Sequence, residues 1–235
     1  MSKQHNGLAA SVIERRPAAV KKPNPVKAAS VRRGGRFTKS RREDVVRKAA
    51  RLFIEHGYEK VTIDHIVAEV GGSKATVYAR FGGKAEFFSV VIEEYCEMIS
   101  HEIQVELNVE GSIEEQLISI GRTFLALILR RQTLELHRLV VSIGGKFPRV
   151  ARVFFDAGPA AAYKLVSDWI RRQQEAGALV AGDPDLMATL YLDMLTGYAQ
   201  LARLLSVKSR PDPAGLSRTV ETAAAIFLRG TRRAR

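Results

Sequence analysis

Ser73, Lys74, Ala75 and Thr76 follow directly on two glycines, Gly71 and Gly72, and their side chains are the ones in this chain best suited to chemistry. A lysine ammonium can donate to the acceptors of a guanine edge. A threonine offers its methyl to thymine or its hydroxyl to several partners, and an alanine permits close approach. Groups of this kind read a pattern of donors and acceptors; they do not break bonds. The chain has no glycine-rich phosphate loop of Walker spacing, no Gly-x-Ser-x-Gly elbow and no paired Cys or His ligands. His56, His65, His101 and His137 are too scattered for a metal site by spacing. No catalytic residue, cofactor or metal is expected, and an enzyme is the weakest of the readings.

The elements that position these four residues lie in the stretch 62–81. Ile63, Ile66, Val67 and Val70 fall at helical spacing, so one face of a short helix is apolar. Thr62 precedes them as an N-cap, and Asp64 sits in the first turn, where the helix dipole favours negative charge. Gly71 and Gly72 supply the left-handed backbone that ends this helix, and Ser73 caps the next, over 74–81. In that second helix Val77 and Phe81 belong to the core, with Ile63, Ile66 and Val70. The rest is polar. A polar helix held at a fixed angle by a tight turn suits a major groove, which its N-terminal residues reach first. The reading is sequence-specific DNA binding.

The run Ser73-Lys74-Ala75-Thr76-Val77-Tyr78, followed by Phe81 and Lys84, resembles the most specific stretch of the TetR family of bacterial transcriptional regulators. The likeness extends from Arg41 to about Ser100. Gly72 stands where the family usually has Val or Ile, and Gly83 where it usually has Ser or Asn. The resemblance implies that Tyr78 and Lys84 contact phosphate, which fixes register and carries no sequence information. Lys84, in the first turn of a fourth helix, would also use that helix's free N–H groups. Thr62 is either a phosphate contact or only a cap.

Of the twelve net positive charges on 235 residues, nine fall within 1–39, where ten bases face the single acid Glu14. This stretch is rich in Ala, Pro, Ser and Gly and reads as a disordered basic arm. It is either a solubilising tail or a strand that lies along DNA, with Arg32, Arg33 and Arg36 placed to reach a minor groove. Cys96 is the only cysteine, so no intrachain disulfide is possible and a reducing cytoplasm fits. It reads as a small apolar residue on a buried helix face. No run approaches a membrane span, and the N-terminus has no apolar stretch of signal-peptide type.

Beyond the arm almost everything reads as helix. The first helix covers 40–56, with Gly57 as its terminator, and the fourth runs to about residue 107. Ser112-Ile113-Glu114-Glu115 forms a capping box for the next. Thr133 is expected to cap a helix through Val141, and Gly158-Pro159 to interrupt the chain. Asp183-Pro184 and Asp212-Pro213 read as helix starts. The fold class is all-α, with no strand or repeat signals.

Leu136-His137-Arg138-Leu139-Val140-Val141, Phe147-Pro148 and Ala157-Gly158-Pro159 resemble the C-terminal domain of AefR-type TetR members. The two resemblances imply an N-terminal three-helix DNA-binding domain over 40–100. They imply a helical effector-binding and dimerisation domain over 101–235. The expected partners are a double-stranded, roughly palindromic operator, a second copy of the chain and a small-molecule effector. Repression is the expected outcome, by family analogy.

The interface is expected on the last two helices, through Leu186, Met187, Leu190, Tyr191, Met194, Leu201, Leu204 and Leu205, then Val220, Ala223, Ala224, Ile226 and Phe227. His137, Tyr163, Trp169, Tyr191 and Tyr198 put polar tips on apolar helices. They either line an effector pocket or satisfy those tips locally in core and interface. A general DNA-coating protein that relies on the arm is the rival reading.

Overall fold

The computed structural model describes residues 39–108, 110–207 and 212–232. The first helix, α1 (Lys39–His56), buries Val46, Ala49, Ala50 and Phe53, spaced three and four residues apart on one stripe. Gly57, at φ +74°, ends it. Two short helices follow, α2 (Ile63–Val70) and α3 (Lys74–Phe81), and then the long α4 (Lys84–Glu106). Phe87, Phe88, Val91, Ile92 and Tyr95 of α4 close this first core against Phe53, Tyr58, Ile66 and Val77. The rings of Phe53 and Phe88 lie 4.3 Å apart. Each large apolar side chain fully buried here stabilises by roughly 1.5–3 kcal/mol.

The second core is built from α5 (Ile113–Ile128), α8 (Ala161–Glu175), α9 (Pro184–Leu204) and α10 (Pro213–Thr231). Between α5 and α8 run α6 (Arg131–Gly144) and α7 (Pro148–Phe155). The capping box opens α5: the Ser112 N–H donates to the Glu115 carboxylate at 2.8 Å, and the Glu115 N–H to Ser112 Oγ at 3.3 Å. Leu117, Ile120, Trp169, Tyr191, Leu192 and Phe227 fill the centre. Gly121 marks the closest approach in this core. A Cβ there would lie 2.9 Å from Val220 Cγ1 and closer still to the Tyr191 hydroxyl, which itself donates to the Leu117 carbonyl at 2.8 Å.

Two local expectations are corrected. Thr133 lies inside α6, which starts at Arg131 without a side-chain cap, and its Oγ1 is 3.2 Å from the Tyr95 hydroxyl. The connection from α5 is so short that the Arg130 carbonyl takes up the first helical bond, from the Leu134 N–H at 3.0 Å. Gly158-Pro159 does not interrupt the chain, which stays helical through a π turn over Asp156–Ala160. The wider turn accommodates Pro159, whose ring would collide with the carbonyl four residues back in a regular α-helix. Gly158 packs on α4, where a Cβ would come 3.2 Å from Cys96 Sγ. Cys96 is buried as expected, and burial pushes its thiol up to about 12. Residue 100 falls within α4, and the core of the first four helices also takes in Leu136, Val140 and Ile143 of α6 and Val150 of α7.

Candidate nucleic-acid interface

The geometry of α2 and α3 is set by residues within a few positions of their ends. Thr62 Oγ1 accepts from the His65 N–H at 3.3 Å, and His65 Nδ1 accepts from the Thr62 N–H at 3.4 Å. This is a capping box with histidine in the place usually taken by Glu or Gln, and it satisfies two orphan donors at once. Gly71 and Gly72 then take φ of +82° and +101°, which side chains disfavour. Ser73 Oγ accepts from the Thr76 N–H at 3.1 Å and lies 2.9 Å from Thr76 Oγ1. Two residues pin the pair inward: Ile66 is 0% exposed and Val77 3%. Phe81 packs edge-on against Phe87 at 5.0 Å, and Gly82 ends α3 in the left-handed region.

With α3 pinned in this way, Ser73, Lys74, Ala75, Thr76 and Tyr78 stand together on its outer face, and Tyr78 is 55% exposed. Lys74 Nζ pairs with Asp64 Oδ1 of α2 at 2.9 Å, and that hydrogen bond raises the lysine pKa. Both partners are well exposed, so the pair is screened and contributes little to stability. It nevertheless holds the ammonium at the leading end of α3. Lys84 is half-buried. Its Nζ donates to the carbonyls of Tyr58 at 3.0 Å and Glu59 at 3.2 Å, and lies 4.6 Å from the Tyr58 ring centroid. That occupies two of three ammonium donors and leaves one. Gly83 gives α4 no side-chain cap, so the first N–H groups of α4 are left without a side-chain partner.

Arg32, Arg33 and Arg36 lie outside the described residues. The candidate ligand residues other than Tyr191, itself buried in the second core, line neither of the two clefts described below. Trp169 is fully buried and donates through Nε1 to Gln116 Oε1 at 3.1 Å. Tyr163 donates to Asp193 Oδ1 at 2.6 Å, and burial together with that carboxylate raises its pKa. His137 is half-buried near Gln200 Nε2 at 3.5 Å and the Phe154 ring at 5.4 Å, and burial lowers its pKa. Tyr198 stands 76% exposed on α9. Two clefts are lined by other residues. One of about 480 Å³ separates α1 from α6 beside Arg51, Glu55, Arg131 and Glu135. Another of about 670 Å³ separates α4 from the π turn and α8, beside Glu93, His101, Asp156 and Leu165. Among the described residues no cluster of His, Cys, Asp or Glu could hold a metal, and no helix is long and apolar enough to cross a membrane.

The residues expected at an interface divide in two. Tyr191, Val220, Ala223, Ala224 and Phe227 are buried within the subunit, and Met187 and Leu204 are half-buried against its core. Leu186, Leu190, Met194 and Leu201 stay exposed along one stripe of α9, with Leu205 exposed just past its end and Ile226 exposed on α10. Arg138 of α6 caps the end of α9, donating to the Leu204 carbonyl at 2.8 Å and to the Arg203 carbonyl. A cation there also suits the negative end of the helix dipole.

Sequence reasoning missed Tyr58, Glu59 and the pairing partner of Lys74. The Thr62-x-x-His65 spacing was a usable signal for the α2 cap. No signal pointed to Lys146, whose Nζ meets Glu59 across 87 positions of sequence.

Residues 45–91 match the family described as bacterial regulatory proteins, tetR family, and residues 115–230 match the AefR-like transcriptional repressor C-terminal domain. The HTH-type transcriptional repressor ComR of Escherichia coli (strain K12) is 31% identical over 88 residues, 35% of this chain and 42% of that protein. This chain thus spans less than half the length of that relative. Among solved structures, the flavonoid-responsive regulator FrrA superposes with a TM-score of 0.69 at 26% identity, over 84% of this chain and all of that one. A TetR family transcriptional regulator from Pseudomonas syringae pv. tomato str. DC3000 does so with a TM-score of 0.63, also at 26% identity and over the same shares.

Proposed function

We propose, for a chain that belongs to the TetR family of bacterial regulatory proteins, a dimeric repressor that reads a near-palindromic operator and releases it on binding a small effector. The observation that carries this reading is the outer face of α3, where Ser73, Lys74, Ala75 and Thr76 stand exposed behind the Gly71-Gly72 turn. In this reading α3 enters the major groove, with Lys74 and Thr76 nearest the base edges. Tyr78, the N-terminus of α4 and the free donor of Lys84 take phosphates, which set register. Thr62 acts mainly as a cap, because its hydroxyl already accepts the His65 N–H.

One such head covers a short site, so affinity calls for two. The exposed apolar stripe of α9 and Ile226 of α10 support a two-fold interface in which each copy covers the other. The flavonoid-responsiveness of FrrA supports an effector-responsive regulator without indicating which effector. The effector would act by population shift, favouring a spacing of the two heads that no longer fits the operator. A role on DNA with no catalytic step, carried out in the cytoplasm, completes the reading. The basic arm, with Arg32, Arg33 and Arg36, is proposed to lie along the DNA and add phosphate contacts.

Pull-down of genomic fragments by the purified protein at near-physiological salt, followed by sequencing, tests this. Recovery of one palindromic site, such as one upstream of its own gene, is the expected result. Even recovery across the genome would overturn it in favour of a DNA-coating role for the basic arm.

A further inference from the structure

The core around α2 and α3 is not closed by the first four helices alone. Leu136, Val140 and Ile143 of α6 and Val150 of α7 are buried in the same cluster as Phe53, Ile66 and Phe88. The α6–α7 hairpin is therefore packed into the reading head, and the turn joining its helices reaches further still. Phe147 sets its ring edge-on to Tyr58, with centroids 4.7 Å apart. Lys146 Nζ meets the Glu59 carboxylate at 2.5 Å. Tyr58 and Glu59 lie in the α1–α2 loop, and theirs are the two carbonyls that hold Lys84 Nζ. The Tyr58 ring is in contact with both Phe147 and the Lys84 ammonium. Arg149 of α7 adds a looser link, 3.8 Å from Glu86 in the first turn of α4.

We infer that Phe147 and Lys146, on the α6–α7 turn, are positioning residues for DNA binding: they fix the Tyr58-Glu59 loop, which holds the Lys84 ammonium against an operator phosphate. The inference rests on the phosphate role proposed for Lys84. A free lysine loses side-chain entropy when it binds, and one held beforehand loses less. Of the two positioning residues Phe147 carries more. Its aromatic contact is directional and partly buried, whereas the Lys146–Glu59 pair, with a 69% exposed lysine, is screened. The turn thereby links the second half of the chain to the phosphate-facing edge of the head.

The test is operator binding by fluorescence anisotropy over a salt series, with melting followed by circular dichroism. Phe147→Leu keeps an apolar side chain and removes the ring. It is expected to weaken binding about five-fold with the slope of log K against log salt unchanged, because Lys84 still reaches the phosphate but loses more side-chain entropy in doing so. Lys84→Ala is expected to weaken binding by at least as much and to take about 0.9 off the slope, the share of one phosphate, and Phe147→Leu to add nothing once Lys84 is gone. Phe147→Tyr, which retains the ring, should bind like the parent. Parental affinity in Phe147→Leu, or a loss that adds to that of Lys84→Ala, overturns the inference while leaving the phosphate role of Lys84 intact. Unchanged binding by Lys84→Ala overturns that role, and the inference with it. Should Phe147→Leu fail to fold, Lys146→Ala carries the same test, since its exposed ammonium supports no core.

Discussion

Helices α3 and α9 are built on the same plan and differ in the chemistry of one face. Each buries an inner stripe: Val77 on α3, and Ala188, Tyr191, Leu192 and Leu195 on α9. Each leaves an outer face uncovered. On α3 that face is Lys74, Ala75, Thr76 and Tyr78, groups that hydrogen-bond or permit close approach. On α9 it is Leu186, Leu190, Met194 and Leu201, with Leu205 just past its end. A face rich in donors gains from a partner whose acceptors are fixed in space, as on a nucleic acid edge. An apolar face gains from any surface that removes it from water, and a second copy of itself is always at hand. The difference shows why periodicity locates an uncovered face while only residue chemistry indicates what is to cover it.

The largest expected effect comes from making the α9 face polar. Leu190→Asp with Leu201→Asp should convert dimer to monomer by sedimentation. It should also lower operator affinity by about 100-fold or more, because the two heads no longer act together. A dimer that keeps full affinity would place the interface elsewhere. Next comes the inner side of α9, where Tyr191 and Leu195 press on Gly121. Gly121→Ala should cost about 1–3 kcal/mol of stability by overpacking, read as a lower midpoint in thermal or urea melts. An unchanged midpoint would mean that Tyr191 can move aside. The smallest effects fall on α3. Lys74→Ala should cost about 1 kcal/mol on the operator and much less on random DNA, whereas Tyr78→Phe should weaken both by the same small factor. Equal losses on both DNAs for the Lys74 variant would strip α3 of its reading role.

What was legible in the sequence was local. The limits of α2 and α3 follow from Thr62, Gly71, Gly72 and Ser73, because caps and positive-φ turns act within three or four residues. The same holds for Ser112 and Glu115 at the start of α5. Thr133 was misjudged because an equally good cap signal loses when the preceding connection is too short to need a side chain. Gly158-Pro159 breaks the helical pattern in sequence yet not in the fold, because a π turn, packed at Gly158 against Cys96, accommodates a proline that an α-helix rejects. Tyr191 and Leu190 are adjacent, apolar and on one helix. Which of them faces inward depends on where α5 and α10 lie.

The sequence by itself determined the all-helical class, the turn that sets α3 and the residues presented on its outer face, since each rests on backbone preferences and short-range hydrogen bonds. The tertiary structure alone decided the rest. It divided the apolar residues of α9 and α10 into core and surface, gave Tyr163 and Trp169 their partners Asp193 and Gln116, and brought Lys146 and Phe147 to Tyr58 and Glu59. Contacts between residues far apart in the chain depend on the packing of whole helices, and no short stretch of sequence encodes that packing.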